Sequence, residues 1–207
     1  MLLLDPARNL LSDESGRRFD PGKRRWLPVG AEKMSGAPVG PVEAVRWLQR
    51  DSGQPCRAPI AVIGPRSARP RQAKVAEEVG AGLSRLGLTV LCGGGKGVME
   101  AVCRGAAEAG GLSVGLLPGD DWRAANRYVG VPIATGIGEA RNALIARAAL
   151  ALIAIGGGTG TLSEVAFGLK FGRPVFGLEG APPVEGVVML DDWPSLEVAV
   201  CREVLGL

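Results

Sequence analysis

From residue 60 onward, short apolar runs alternate with longer segments whose apolar residues recur at helical spacing. Residues 60–64 form an uninterrupted apolar run that ends in glycine, which is typical of a strand buried on both faces. Residues 72–86 place Val75, Val79 and Leu83 on one side of a helix. The same criteria predict strands at residues 88–92, 113–117, 150–155, 174–178 and 187–190, and helices at 98–109, 139–149, 162–171 and 195–205.

This alternation of strands and helices predicts an α/β fold. Strands that are apolar throughout, rather than at every second position, have both faces covered, which in an alternating chain indicates a parallel sheet between two layers of helices. Crossovers of this length are right-handed. We therefore predict a doubly wound, Rossmann-like parallel sheet with helices on both faces, plus a small N-terminal appendage.

Residues 1–58 differ from the rest because they are rich in proline, glycine and charge. We predict short strands at residues 1–4 and 26–29 that flank a turn at Ser15 and Gly16, and a helix at residues 41–50. We interpret this region as an appendage that packs on the main domain or on a second subunit. Residues 59–207 are interpreted as the nucleotide-binding domain.

Composition excludes several kinds of site. The 207 residues contain no histidine, so a Ser-His-Asp triad, a Cys-His dyad and a histidine-ligated zinc site are excluded, and we expect no metal site. The four cysteines form no CxxC motif and are interpreted as small buried residues in a reducing compartment. The longest apolar stretch, residues 148–155, is far shorter than the roughly 20 residues of a membrane span, so we expect a cytoplasmic protein without a membrane partner. A net charge of +3 and 4% aromatic residues argue against nucleic acid as a partner.

Two glycine clusters, residues 93–97 and 156–161, each lie between a predicted strand and a predicted helix. Glycine allows close backbone approach, and successive N–H groups at a helix N-terminus favour a phosphate group. The alternative is a tight turn that brings the helix close to the strand. The end of the first strand, with Gly64 and Ser67, is a further candidate. The predicted phosphate-binding residues in the two clusters are Gly93, Gly94, Gly95 and Gly97, and Gly157, Gly158, Thr159, Gly160 and Thr161.

The second cluster, with Leu162, Ser163 and Glu164 after it, resembles the PGGxGTxxE signature of the LONELY GUY (LOG) family, whose members are often mislabelled lysine decarboxylases. The first cluster, with Met99, is similar to the upstream GGGxxGxM motif of that family. Residues 139–142 resemble a bacterial subgroup of uncharacterised Rossmann-like proteins, which are also similar to the DNA-processing protein DprA and to molybdenum cofactor carrier proteins. The resemblance covers about residues 60–180.

The resemblance implies a catalytic pair. LOG enzymes cleave the N-glycosidic bond of nucleoside 5′-monophosphates with an arginine and a glutamate, whose counterparts here are Arg141 and Glu164. A carboxylate can stabilise an oxocarbenium-like transition state, and an arginine can hold phosphate in a fixed fork. Two positions depart from the family pattern, since Asn142 stands where lysine is usual and Gly156 stands where proline is usual. The absent lysine removes one charge that would neutralise phosphate or a leaving group, which argues against activity on nucleotide monophosphates but not against binding of a phosphate-bearing ligand. Asn142 is assigned to ligand binding.

Two functions follow. The first is a non-catalytic sensor or carrier that binds a phosphate-bearing, nucleotide-like ligand, for example a nucleotide or the molybdenum cofactor. The alternative is a LOG-like phosphoribohydrolase, whereas a lysine decarboxylase is rejected because no motif supplies a Schiff-base lysine with a partner for the pyridoxal ring. We expect no required cofactor, a bound nucleotide monophosphate or phosphate as ligand, and a homo-oligomer.

Overall fold

The computed structural model describes residues 1–28 and 36–207 and consists of two units. The first unit comprises Met1–Cys56 and Val198–Leu207, and the second comprises Arg57–Glu197. The second of these boundaries, between Glu197 and Val198, falls inside the last helix of the chain, Trp193–Leu205.

The first unit contains an antiparallel sheet and one helix. Its strands are β1 (Leu2–Asp5), β2 (Leu10–Asp13), β3 (Arg18–Asp20), β4 (Arg25–Leu27) and β5 (Ala37–Val39), in the order β4-β3-β2-β1-β5, and α1 (Pro41–Arg50) follows.

The predicted helix at residues 41–50 is confirmed, and the two predicted strands correspond to β1 and β4, although Val29 lies outside the described residues. The predicted turn is also confirmed, since Gly16 has φ +86° and the Asp13 carboxylate accepts a hydrogen bond from the Ser15 amide at 3.0 Å. Strands β2, β3 and β5 were not predicted, because polar residues or proline interrupt their apolar positions.

The second unit is a doubly wound α/β structure, as predicted. In chain order its elements are β6 (Pro59–Ile63), α2 (Pro70–Arg85), β7 (Thr89–Cys92), α3 (Val98–Glu108), β8 (Ser113–Leu117), β9 (Val131–Ala134), α4 (Arg141–Ala148), β10 (Ala151–Ile155), α5 (Thr159–Lys170), β11 (Val175–Leu178), β12 (Val187–Met189) and the first part of α6 (Trp193–Leu205).

The strands of this unit form one seven-stranded parallel sheet with the order β12-β11-β10-β6-β7-β8-β9. All five residues of β10 are fully buried, which agrees with their continuous apolar sequence. Strand β9 was not predicted. It is an edge strand that contains Pro132 and exposes Val131 and Ile133, so its sequence lacks a continuous buried run.

The chain order sets the position of a crevice. After β6 the chain builds β7, β8 and β9 on one side, and then crosses back through α4 to build β10 on the other side of β6. The carboxyl ends of β6 and β10 therefore flank a topological switch point, where doubly wound sheets bind ligands. Within the described part of the chain, no helix combines the length and apolar character that crossing a membrane requires.

Candidate functional site

A cleft of about 520 Å³ opens at this switch point. Its walls come from the loop after β6, the first residue after β7, the start of α4 and the turn between β10 and α5. The residues that line it are Ile63, Gly64, Pro65, Arg66, Gly93, Met99, Glu139, Arg141, Asn142, Gly158, Thr159, Gly160, Thr161, Ser163 and Glu164.

Arg141 and Glu164 form an ion pair on the cleft wall. Arg141 is the first residue of α4 and Glu164 lies in α5, and the packing of these two helices brings together side chains that are 23 residues apart in sequence. Arg141 Nη1 lies 3.2 Å from Glu164 Oε1, and the two side chains are only 5% and 9% exposed. Arg141 Nη1 also donates to Asn142 Oδ1 at 2.7 Å, whereas the buried Arg141 Nε has no partner.

The environment of Glu164 shifts its proton affinity. Burial raises the pKa of Glu164 from 4.5 to about 7, although the Arg141 charge acts in the opposite direction. The Glu139 carboxylate contributes a smaller upward shift to the same pKa. A carboxyl group with this pKa exchanges its proton near neutral pH, so the charge of the cleft changes there.

Asn142 connects α4 to the second glycine-rich turn. Its Nδ2 donates to Ser163 Oγ at 3.0 Å, and Ser163 Oγ donates to the Gly160 carbonyl at 2.7 Å. The asparagine side chain accepts a hydrogen bond from Arg141 and donates one to Ser163, whereas a lysine at this position would only donate. Asn142 is buried, with 4% of the residue exposed, so its polar atoms form their hydrogen bonds inside the protein.

The second turn has a packed half and an open half. Gly156 has φ +61°, and a Cβ on it would overlap the Gln72 side chain, while a Cβ on Gly157 would lie 2.7 Å from Pro182. A Cβ on Gly158 or on Gly160 would meet no atom within 4 Å. The open half coincides with the start of α5, where the first N–H groups of a helix lack partners within it.

The first turn is packed along most of its length. A Cβ on Gly93 would lie 2.6 Å from Arg141 Nη2. The Gly94 carbonyl accepts a hydrogen bond from the Asn126 amide at 2.8 Å, and the Gly95 carbonyl accepts one from Asn126 Nδ2 at 2.8 Å. Gly97 has φ +68°, and a Cβ there would overlap the Pro65 carbonyl. This turn therefore supports Arg141 and the loop after β6.

The structure brings most of the predicted site residues to one place and leaves others outside. Those that line the cleft are Gly64, Gly93, Arg141, Asn142, Gly158, Thr159, Gly160, Thr161 and Glu164. Gly95 lines an adjoining chamber, and those outside both spaces are Ser67, Gly94, Gly97 and Gly157.

Four polar or sulfur-bearing residues of the cleft were not assigned individually from the sequence: Arg66, Met99, Glu139 and Ser163. Each lies inside a segment that the sequence had singled out, since Arg66 is within residues 64–67 and the other three are within the motifs of the family resemblance. Arg66 and Glu139 form an exposed ion pair of 3.3 Å at the cleft mouth. Over the described residues, no group of three or more cysteine or acidic side chains is arranged to hold a metal ion.

The family follows from a comparison with known proteins. The profile of the SLOG cluster4 family matches residues 57–199. This chain belongs to the SLOG cluster4 family. The recognised resemblance is thereby confirmed at the level of the superfamily that includes LOG proteins, DprA and molybdenum cofactor carrier proteins.

Individual relatives cover the same part of the chain. An uncharacterized protein of Archaeoglobus fulgidus is 39% identical over 142 residues, which are 69% of this chain and 93% of the relative. The molybdenum cofactor carrier protein from Chlamydomonas reinhardtii is 34% identical with a TM-score of 0.67, over 73% of this chain and 100% of that one. The molybdenum cofactor binding protein from Rippkaea orientalis is 33% identical with a TM-score of 0.59, over 74% of this chain and 87% of that one.

A more distant likeness concerns the fold alone. DprA from Streptococcus pneumoniae is 21% identical with a TM-score of 0.57, over 70% of this chain and 61% of that one.

Proposed function

We propose that this protein binds a phosphate-bearing, nucleotide-like ligand in the cleft and acts as a non-catalytic sensor or carrier, of a nucleotide or of the molybdenum cofactor. One observation carries the proposal: the Arg141 guanidinium is almost fully buried at a ligand-sized cleft, and its Nε has no hydrogen-bond partner. Leaving a buried donor unpaired costs free energy, and an anion that pairs with the guanidinium from the cleft would offset that cost.

The surroundings of Arg141 support an anionic ligand. The open half of the second turn, at Gly158 and Gly160, leaves room beside the first N–H groups of α5. These groups and the helix dipole favour negative charge. Arg66 at the mouth adds a second guanidinium. We propose that Thr159 and Thr161, which also line the cleft, donate their hydroxyls to the same ligand.

A carrier or sensor is favoured over an enzyme by two features. Two relatives that are 33–34% identical are named for binding or carrying the molybdenum cofactor, and each matches over most of its length. Asn142 forms hydrogen bonds with Arg141 and Ser163, and it stands where a lysine is usual in the LOG family pattern. A bound phosphate ester would then be held without the extra positive charge that assists departure of a leaving group.

Calorimetric titration tests the proposal. The probes are inorganic phosphate, a panel of nucleoside monophosphates and purified molybdenum cofactor, and we expect saturable binding of at least one phosphate ester. Arg141→Gln should lower that affinity about tenfold, as expected for a lost charge-assisted hydrogen bond.

Arg173→Gln is the matched control, because Arg173 Nε is also buried without a partner but lies before β11, away from the carboxyl edge of the sheet. Equal losses in the two variants, or no binding by well-folded wild-type protein, would contradict the proposal.

A LOG-like phosphoribohydrolase is the second candidate. It is favoured by the Arg141–Glu164 pair, because a carboxyl group with a pKa of about 7 is suited to proton transfer at neutral pH. The same titrated samples can be assayed for free base. Release that disappears in Glu164→Gln would establish the hydrolase, whereas binding without release would establish the carrier or sensor.

We also propose a cytoplasmic homo-oligomer that has no nucleic-acid partner. Leu144 of α4 and Leu162 of α5 are 46% and 43% exposed on neighbouring helices, which supports a contact between copies. Sedimentation equilibrium should report an assembly larger than a monomer, and Leu144→Glu should shift it towards the monomer. Titration with single-stranded DNA at low salt should give no saturable binding.

A further inference from the structure

A side chamber of about 310 Å³ adjoins the cleft and shares four residues with it: Arg66, Gly93, Met99 and Arg141. The other residues that line the side chamber are Gly95, Lys96, Leu117, Pro118, Gly119 and Ala124. The two spaces together have the size of sites that hold nucleotide-sized molecules rather than free phosphate. One ligand can therefore extend from the α5 N-terminus into the side chamber.

The walls of the side chamber suit a flat ring. Leu117, Pro118 and Ala124 supply apolar surface, and the glycines allow close approach to the backbone. The Met99 thioether lies against Gly93 and Gly95, since Cβ atoms there would be 2.9 and 3.0 Å from Met99 atoms. A methionine sulfur next to an open space favours contact with an aromatic ring.

The side chains that can form hydrogen bonds in this chamber are donors. Among the described residues that line it, Arg66, Lys96 and Arg141 are the ones with polar side chains, and neither arginine nor lysine has an acceptor. No carboxylate of the described chain lines the side chamber, whereas Glu139 and Glu164 line the cleft. Lys96 is exposed, and it forms no side-chain hydrogen bond or ion pair with another described residue.

The backbone acceptors around the chamber already have partners. The Leu117 carbonyl accepts hydrogen bonds from Thr135, through its amide at 3.1 Å and its hydroxyl at 2.7 Å. The Pro118 and Gly119 carbonyls accept from the amides of Gly138 and Gly136, at 2.9 and 3.0 Å. The Gly95 carbonyl accepts from an asparagine side chain, as described above. Arg66 and Arg141 already pair with Glu139 and Glu164, so Lys96 is the donor of this chamber that is free among the described residues, whereas these four carbonyls are already engaged.

We propose that the side chamber binds the heteroaromatic ring of the ligand and selects rings whose edge carries carbonyl oxygens over rings whose edge carries amino groups. This inference rests on the proposed function, since it assumes that the phosphate end of the same ligand occupies the cleft. A ring oxygen accepts a hydrogen bond from Lys96, whereas an exocyclic amino group places a donor against the Lys96 ammonium group.

Matched nucleotides test the inference by calorimetric titration. Inosine and adenosine 5′-monophosphates differ along one edge of the ring, where the first has a carbonyl beside a protonated N1 and the second an amino group beside an unprotonated N1, and xanthosine 5′-monophosphate has two carbonyls. Ribose 5-phosphate, which has no heteroaromatic ring, reports the cleft alone. We expect affinity to fall in the order xanthosine, inosine, adenosine monophosphate and ribose 5-phosphate, with the inosine form about tenfold tighter than the adenosine form.

Two variants assign the selectivity to the side chamber. Lys96→Met should bring the ratio of inosine to adenosine monophosphate affinity close to one, while Lys74→Met, on the exposed face of α2, should leave the ratio unchanged. Ala124→Trp places a large side chain at an exposed position of the chamber wall and should lower inosine monophosphate affinity to that of ribose 5-phosphate. Circular dichroism verifies that each variant is folded.

The outcomes separate this inference from the proposed function. Equal affinities for inosine and adenosine monophosphates, tighter binding of the adenosine form, or a preference that survives Lys96→Met would overturn the ring assignment while the phosphate site stands. An absence of binding by all four phosphate esters, by inorganic phosphate and by purified molybdenum cofactor would overturn both.

Discussion

The two glycine-rich turns look alike in sequence, but their glycines have different surroundings in the structure. In the first turn Gly93 and Gly97 face other parts of the protein, where a Cβ would press on Arg141 or on the Pro65 carbonyl. In the second turn Gly158 and Gly160 face open space at the cleft. The same sequence pattern therefore accompanies close packing in the first turn and open space beside the cleft in the second.

This difference changes how the motif is interpreted. The first turn packs against the buried Arg141 through Gly93. The Gly94 and Gly95 carbonyls of this turn accept hydrogen bonds from Asn126. The second turn presents the N-terminus of α5. Substitutions in the first turn should therefore act mainly on stability, and substitutions in the open half of the second should act mainly on binding.

Gly97→Ala is expected to have the largest effect. The residue has φ +68°, which an L-residue adopts at a cost, and its Cβ would overlap the backbone of the loop after β6. Left-handed strain and overpacking together should lower the free energy of unfolding by about 4 kcal/mol. Urea denaturation measures this loss. If the variant is as stable as the wild type, close packing does not explain why the first turn contains Gly97.

Glu164→Gln should change how stability depends on pH. Folding raises the pKa of Glu164 from 4.5 to about 7, so the folded protein binds this proton more tightly than the unfolded chain does. The resulting stabilisation is complete below pH 4.5 and is lost as the pH rises through 7. The wild-type free energy of unfolding should therefore decrease by about 3 kcal/mol relative to the variant across this window.

Comparing the wild type with the variant cancels the contributions of the other titrating groups, because both proteins contain them. The measurement is a series of urea denaturations from pH 4 to pH 8. A difference in free energy of unfolding that stays constant over this range would mean that Glu164 keeps its ordinary pKa in the fold, and the second candidate function would lose its main support.

Sequence patterns predicted the buried elements well and the exposed ones poorly. Strand β10 is apolar at every position and fully buried, so its pattern is unambiguous. Strand β9 is half exposed, includes Pro132 and gains its place by pairing with β8, which its own sequence does not reveal. Short strands such as β3 depend in the same way on a neighbouring strand.

The candidate site was predicted through motifs rather than through geometry. Arg141 and Glu164 were selected from a resemblance, and their contact results from the packing of α4 on α5, which no spacing rule gives. The motif could not indicate which glycines face the cleft, because open space beside a residue depends on distant segments. Gly157 illustrates this, since its neighbour Pro182 comes from the loop after β11.

Gly160→Ala is expected to have the smallest effect on stability and is the sharpest test of the comparison. An alanine Cβ at this position would meet no atom within 4 Å, and replacing glycine by alanine in a helix stabilises it by up to about 0.5–1 kcal/mol. The added methyl group would nevertheless occupy space at the edge of the cleft. It would keep an anion away from the first N–H groups of α5, and phosphate affinity should fall about fivefold.

Denaturation and calorimetry on the same sample separate the two effects of this substitution. Retained stability with weakened phosphate binding would assign the open half of the second turn to the ligand. A loss of stability like that of Gly97→Ala would mean that both turns serve packing alone. Retained stability with unchanged binding would mean that the anion lies away from α5. Its contacts would then be Arg141 and Arg66, because they are the positively charged side chains that line the cleft among the described residues.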